Sequence, residues 1–173
     1  MSKHLPNREQ AINILQKNNC TPEVIAHCQA VALLALELAE KFKAKNYAVD
    51  VALVEVGALL HDLGRAKTHS VNHAIEGMQL AQKEDLPDSV ICIIKRHVGA
   101  GITTKEAELL NWPKDNYIPQ TLEEKIVCYA DKCLSGSNRI PAETTIKQLH
   151  DQKLDEAAER VRKLHNEITS LLT

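Results

Sequence analysis

One stretch of this sequence leaves the chain little freedom in how it folds. From Val51 to Leu63 nearly every residue is apolar, on all sides of a helix that Asp50 can cap, so the segment belongs at the centre of a packed body. Gly64 follows it as a C-terminal glycine. The stretch carries His61-Asp62 near its end. An acid drawn inward by Val54, Val56, Ala58, Leu59, Leu60 and Leu63 incurs a heavy desolvation cost unless a cation answers it.

The rest of the chain reads as further helices around that centre. A short one from about Asn7 to Asn18 carries Ile12, Ile14 and Leu15. Thr21-Pro22-Glu23 combines an N-cap, a proline where its missing N–H is harmless, and an acid favoured by the helix dipole. The helix it opens runs to about Lys43, with Val24, His27, Cys28, Val31, Leu34, Ala35 and Leu38 on one inward stripe. After a polar loop, a helix with His73, Ala74, Ile75, Met78, Leu80 and Ala81 reaches Leu86-Pro87. Asp88 caps another through Val90, Ile91, Ile93, Ile94 and His97, stopped by Gly99-Ala100-Gly101.

Residues 102–120 are irregular, with Trp112-Pro113 and Ile118-Pro119, and read as a lid or loop with one short helix. Thr121 and Glu124 form a capping-box pattern opening a helix through Ile126, Val127, Tyr129, Ala130 and Leu134. Ser135-Gly136-Ser137-Asn138 is a turn, and about Leu154 to Leu172 is one amphipathic helix. No segment reads as a strand, and aromatic residues are only 3%, so the aliphatic side chains fit helix-on-helix packing. The expectation is an all-α bundle of about seven to nine helices, in a single domain over 1–173.

Charge and composition exclude several functions. A formal charge of −2 gives no polybasic face for a nucleic-acid duplex. Apolar runs such as Val31–Leu36 and Val51–Leu60 fall short of the roughly 20 residues a membrane span needs. Met1-Ser2-Lys3-His4-Leu5-Pro6 lacks the apolar core of a secretory signal, so a cytoplasmic location is expected. The 5 cysteines are odd in number and hold no Cys-x-x-Cys pair, which fits reduced core residues.

Histidine placement carries the chemistry. His4, His150 and His165 are expected to be solvated. His27, His61, His73 and His97 each come from a separate helix or its end, beside apolar neighbours. A lone inward histidine is usually a hydrogen-bonded core residue. Beside His61-Asp62 and Asp131, which follows the apolar run Ile126 to Ala130, a group of them is better explained by a divalent cation. Imidazoles and carboxylates are ligands that Mn²⁺, Fe²⁺, Co²⁺ and Zn²⁺ accept. The plainer alternative is neutralisation of the two acids by Arg65, Arg96 or Lys132.

At this point the sequence resembles a known family. Ala58-Leu59-Leu60-His61-Asp62-Leu63-Gly64-Arg65 is similar to the helix end that names the HD-domain phosphohydrolases. His27 upstream and Asp131 downstream complete that family's order of His, His-Asp, Asp, over about residues 22–139. His73-Ala74-Ile75-Glu76-Gly77 and Ile93-Ile94-Lys95-Arg96-His97 resemble the added histidine segments of the two-metal branches. These include the HD-GYP cyclic-dinucleotide phosphodiesterases and the symmetrical diadenosine tetraphosphatases, and Glu124 to Lys132 is similar to the last motif of the latter. Three departures stand out. Arg65 replaces a frequent lysine, no Gly-Tyr-Pro follows His97, and Cys133-Leu134-Ser135-Gly136 replaces an acidic, proline-containing turn. Cyclic-di-GMP hydrolysis is therefore not expected.

The resemblance implies an HD-like helical bundle holding one or two divalent ions (Mn, Fe, Co, Zn or Mg). His27, His61, Asp62 and Asp131 would take the first, and His73 and His97, sharing Asp62, the second. It implies hydrolysis of a phosphoester or phosphoanhydride bond of a nucleotide or related phosphorylated metabolite. The amphipathic C-terminal helix can pack on its own domain or on a second copy, so a monomer or homodimer is expected. Asp62 and Arg65 are the candidate catalytic residues. Arg65, Arg96, Lys132 and Arg139 are the candidate phosphate clamps, and one of Lys95 and Arg96 is expected to turn away from the cleft. Two alternatives stay open: a non-catalytic sensor that binds nucleotide or metal, and a structural bundle with a scaffold metal.

Overall fold

The computed structural model describes residues 3–173. Among them the chain forms nine α-helices: α1 (Arg8–Lys17), α2 (Pro22–Ala44), α3 (Val51–Leu60), α4 (His73–Lys83), α5 (Asp88–Arg96), α6 (Thr104–Leu109), α7 (Leu122–Lys132), α8 (Ala142–Asp151) and α9 (Asp155–Leu172). The architecture is all-α. A hairpin of two very short strands, β1 (Leu134–Ser135) and β2 (Asn138–Arg139), closes the turn after α7.

The caps expected at Thr21 and Asp50 form: Thr21 accepts the Val24 N–H at 3.4 Å with Pro22 in the first turn of α2, and Asp50 accepts the Leu53 N–H at 3.0 Å. Asn7 and Gln10 add a reciprocal box at the start of α1 that was not expected. Each satisfies an N–H that the helix itself leaves unpaired. With its first turn fixed, α3 sits where its composition requires, between α2, α1, α5 and α7. Its residues Val54, Ala58, Leu59 and Leu60 are fully buried.

α2 is the longest element, and an 18-residue window of it has mean hydropathy 1.4, enough by length and composition to cross a membrane. Uninterrupted apolar runs understate this, because single polar residues divide the helix. In the bundle α2 is a core helix whose Val24, Cys28, Val31, Ala35, Leu38, Ala39 and Phe42 face α3 and α7.

Several local readings are corrected. α3 ends at Leu60, and Leu63–Ala66 is a 3-10 turn that contains Gly64. Gly64 is therefore a close-approach glycine instead of a C-terminal cap: a Cβ there would lie 1.8 Å from the His73 carbonyl and 2.5 Å from the Gly77 N. Pro87, not Asp88, is the N-cap of α5. Thr121 accepts the Glu124 N–H at 3.2 Å, but the Glu124 carboxylate does not return to Thr121; it accepts the Gln120 N–H at 2.6 Å and the Arg96 guanidinium. The hairpin and α8 were not expected. α8 is missed because only Ala142 and Ile146 of its residues are buried, too few to print a helical stripe. His165 is half-buried instead of fully solvated, and its Nδ1 lies 2.8 Å from the Tyr129 hydroxyl.

Candidate metal centre

Five helices and one turn deliver the six acidic and imidazole side chains to one place. His27 comes from α2, His61 follows the last residue of α3, and Asp62 leads into the 3-10 turn. His73 opens α4, His97 follows α5, and Asp131 lies in the last turn of α7. The Gly64 to Gly77 approach makes this possible, since a side chain at Gly64 would drive α4, and with it His73, away from Asp62.

The Asp62 carboxylate divides the centre in two. On its Oδ2 side lie His27 Nε2 at 3.6 Å and His61 Nε2 at 3.6 Å. Asp131 Oδ1 completes that half, 3.0 Å from His27 Nε2 and 3.4 Å from His61 Nε2. On the Oδ1 side lie His73 Nε2 at 3.2 Å and His97 Nε2 at 3.3 Å, themselves 3.0 Å apart. His61, Asp62, His73 and His97 are buried, and His27 and Asp131 are partly exposed, so the centre opens on their side.

The other ring nitrogens fix what those Nε2 atoms are. Nδ1 of His61, His73 and His97 lies 2.7 Å from the carbonyl three residues earlier, on Ala58, Ser70 and Ile94 respectively. His27 Nδ1 lies 2.6 Å from the Gly136 carbonyl in the hairpin turn. A carbonyl only accepts, so each Nδ1 donates, and each neutral ring turns the lone pair of Nε2 inward. Lone pairs then face carboxylate oxygens and one another, which is repulsive unless a positive charge sits among them. His61 Nε2 and Asp62 Oδ1 are correspondingly buried without a hydrogen-bond partner. The residues present thus fit a divalent cation: nitrogen and carboxylate donors converge, their second nitrogens are anchored as in metal-bound histidines, and two groups lack any other partner.

The electrostatics agree. Burial works to raise the Asp62 pKa, but His61 and the neighbouring His73 and His97 imidazoles hold it well below the usual carboxylate range. Asp131 is likewise raised by burial and held well below that range by Lys132, His27 and His61. Burial, aided by the charges of His61 and His73, lowers His97 to about 4 against the pull of Asp62, leaving it neutral near pH 7. Burial also opposes charge on His61, yet Asp62 lifts its pKa well above the ordinary value. The acids beside His61 thus favour a cation there, and a proton and a metal ion compete for its Nε2.

The cations named from sequence separate into two groups. Arg65 Nε donates to Asp62 Oδ2 at 2.8 Å, with Nη1 only 3.4 Å from the His69 carbonyl, and Lys132 Nζ donates to Asp131 Oδ2 at 2.6 Å. Both stand at the centre. Arg96 does not: its Nη1 lies 2.8 and 3.0 Å from the two Glu124 oxygens and its Nε 3.0 Å from the Asn116 carbonyl. Arg139 is on the surface in a two-pronged pair with Glu37 of α2, at 2.9 and 2.5 Å. It seats the hairpin that offers Gly136 to His27. Lys95, too, is taken up, by Asp115 at 2.5 Å. The sequence could not show these carboxylate partners, which lie far along the chain. It also gave no sign of the four anchoring carbonyls, although three of them keep one fixed offset.

Fold and site together define an all-helical protein built around a histidine–aspartate centre of the kind that holds divalent metal ions. The chain belongs to the HD domain family, whose pattern matches residues 24–136. It is 42% identical over 95% of its length to an uncharacterized protein of Methanocaldococcus jannaschii, covering 98% of that protein. It is 37% identical over 98% of its length to the tRNA (cytidine(56)-2'-O)-methyltransferase of Picrophilus torridus, of which it covers 48%. The chain thus spans about half the length of the methyltransferase relatives it matches. Ribonuclease Y of Aquifex aeolicus is 28% identical over 87% of the chain, which covers 24% of that protein. Among solved structures, the HD domain of the Listeria monocytogenes phosphodiesterase PgpH in complex with cyclic-di-AMP superimposes with TM-score 0.58 at 19% identity, over 94% of this chain and 95% of that one. That likeness concerns the fold.

Proposed function

We propose that this chain is a metal-dependent phosphohydrolase that cleaves a phosphoester or phosphoanhydride bond of a nucleotide or related phosphorylated metabolite. The observation that carries the reading is the pair of donor sets sharing Asp62: His27, His61 and Asp131 on its Oδ2 side, His73 and His97 on its Oδ1 side. A phosphodiesterase and a ribonuclease among the similar proteins support hydrolysis of a phosphate ester. Divalent ions held there would supply Lewis acidity and a hydroxide nucleophile at neutral pH.

The chain's own residues do the rest. Asp62, ionised and facing both donor sets, serves as a shared ligand. Arg65 steadies Asp62 through Nε and turns the far side of its guanidinium to a phosphate oxygen. Lys132 steadies Asp131 and adds a point charge at the same mouth. The four anchored imidazoles hold their lone pairs in place before substrate arrives, so little reorganisation accompanies the reaction. We place the activity in the cytoplasm.

The test is a substrate panel with Mn²⁺, Co²⁺, Fe²⁺ or Mg²⁺: nucleoside mono- and diphosphates, dinucleoside polyphosphates, and linear and cyclic phosphodiesters. We expect turnover of at least one, and a loss of several orders of magnitude in Asp62→Ala with helical content unchanged. Metal binding without turnover across the panel would favour a non-catalytic sensor. Activity undiminished by the substitution would remove the centre from the reaction.

A further inference from the structure

Segment 111–120, between α6 and α7, is irregular and yet firmly held. Trp112 and Tyr117 are buried, their rings meeting edge to face at 5.0 Å, and the Tyr117 hydroxyl donates to the Pro113 carbonyl at 2.7 Å. Backbone bonds tie it to Ala107 and Ile102, and the Gln120 N–H reaches Glu124 of α7, while its remaining outward bonds run to two further places. The Trp112 indole N–H donates to Asn72 Oδ1 at 2.7 Å. Asp115 accepts from Lys95, and the Asn116 carbonyl accepts from Arg96.

Those places are the roots of two ligands. Asn72 lies between Ser70 and His73 in the turn where the Ser70 carbonyl holds both the His73 N–H, at 3.0 Å, and its Nδ1. Lys95 and Arg96 are the last residues of α5, immediately before His97. The strap therefore holds the residues next to both ligands on the Oδ1 side of Asp62. The Oδ2 side is anchored elsewhere, His27 on the hairpin and His61 on its own helix.

We infer that Trp112 is a positioning residue for one half of the centre: through Asn72 it fixes the turn that aims His73, so the Trp112–Asn72 bond sets the affinity of the His73–His97 position and leaves that of the His27–His61–Asp131 position unchanged. The inference rests on the two-position reading of the metal centre. Asn72 offers no capping bond to α4. Its oxygen is instead committed to the indole. Loss of a group bonded directly to a ligand typically changes metal affinity roughly 10–100-fold, and Trp112, which acts through Asn72 and the turn, belongs at the low end of that range.

The experiment counts ions. Zn²⁺ or Mn²⁺ is titrated into metal-free full chain by calorimetry, with elemental analysis of the loaded sample, for the wild type, Trp112→Phe and Tyr117→Phe. Trp112→Phe keeps a ring and loses the N–H; Tyr117→Phe loses a hydroxyl of the same strap that does not reach Asn72. We expect two ions in the wild type and in Tyr117→Phe. In Trp112→Phe one of the two should weaken by about 10-fold or more and the other keep its affinity. Two ions at wild-type affinity in folded Trp112→Phe overturn the inference and leave the two-position reading standing. A wild type that binds fewer than two overturns the reading itself. Should Trp112→Phe fail to fold, the intact protein decides, because Trp112 is the only tryptophan in the sequence. Its emission should change with one equivalent of Zn²⁺ and not with the other, and emission indifferent to both overturns the inference.

Discussion

Arg96 shows what one residue can hide. From sequence it is a phosphate clamp; in the fold it is neutralised by Glu124, with side-chain exposures of 14% and 5% for the pair. Removing one member of a buried pair strands the other, at a cost of roughly 3–5 kcal/mol. Arg96→Ala should therefore unfold at markedly lower denaturant than the wild type. Arg65→Ala, measured with metal bound so that the cation still compensates Asp62, should lose turnover with a smaller drop in the melt than Arg96→Ala. Equal melts for the two variants would return Arg96 to the list of clamps. The six converging histidines and aspartates are legible in the sequence because each polar side chain stands among apolar neighbours that must be buried. The pairing of each cation is illegible, because Glu124 and Glu37 meet Arg96 and Arg139 only through the fold.

Among elements, the contact of the 3-10 turn with α4 is the tightest constraint. Gly64→Ala would place a methyl group 1.8 Å from a backbone carbonyl, and overpacking of this kind costs about 1–3 kcal/mol or more. We expect a lower melting temperature and loss of bound metal together, because the displaced helix carries His73; retained metal at a wild-type melt would refute this account. Sequence reading takes Gly64 for a helix stop because a glycine after an apolar helix usually is one, and nothing local shows the backbone that will press against it. α8 and the hairpin escape notice for the opposite reason, since they bury too little to leave a pattern. Between α6 and α9, Glu106 pairs with Arg160 at 2.9 Å. Burial raises the Glu106 pKa, but the Thr103 N–H and Arg160 outweigh it and hold it below its ordinary value. A depressed carboxyl stabilises the fold above the unfolded pKa of about 4.3, and that share is lost as pH falls through the folded value. Glu106→Gln should thus be less stable than wild type at pH 7, and the gap should close below about pH 4; a gap constant from pH 3 to 7 would count against the pairing.

At the scale of the whole molecule, one apolar cluster runs from α1 to α9, and the metal centre is set against it with its open side at His27 and Asp131. The donors repel one another in the absence of positive charge, so occupancy and stability should be linked. An ion at 100 times its dissociation constant adds about 2.7 kcal/mol, and 1 kcal/mol moves the melt of a chain this size by about 2–4 °C. Chelation should lower the melting temperature by roughly 5–10 °C, and restoring Mn²⁺ or Zn²⁺ should return it. An unchanged melt would mean that the centre is equally content empty. The bundle itself was legible from helical spacing and caps, whereas the course of residues 111–120, which have no periodicity, was fixed by long-range bonds to Asn72, Lys95 and Arg96.

Asp62 faces both halves at once, one oxygen to each. The imidazoles can be varied one side at a time, so a descendant of this chain is able to lose a single half by drifting at His73 or His97 and keep the other intact. No such gradual route exists at position 62. Any exchange there strikes both halves in the same step, which makes it the one place where the centre survives whole or is abandoned whole.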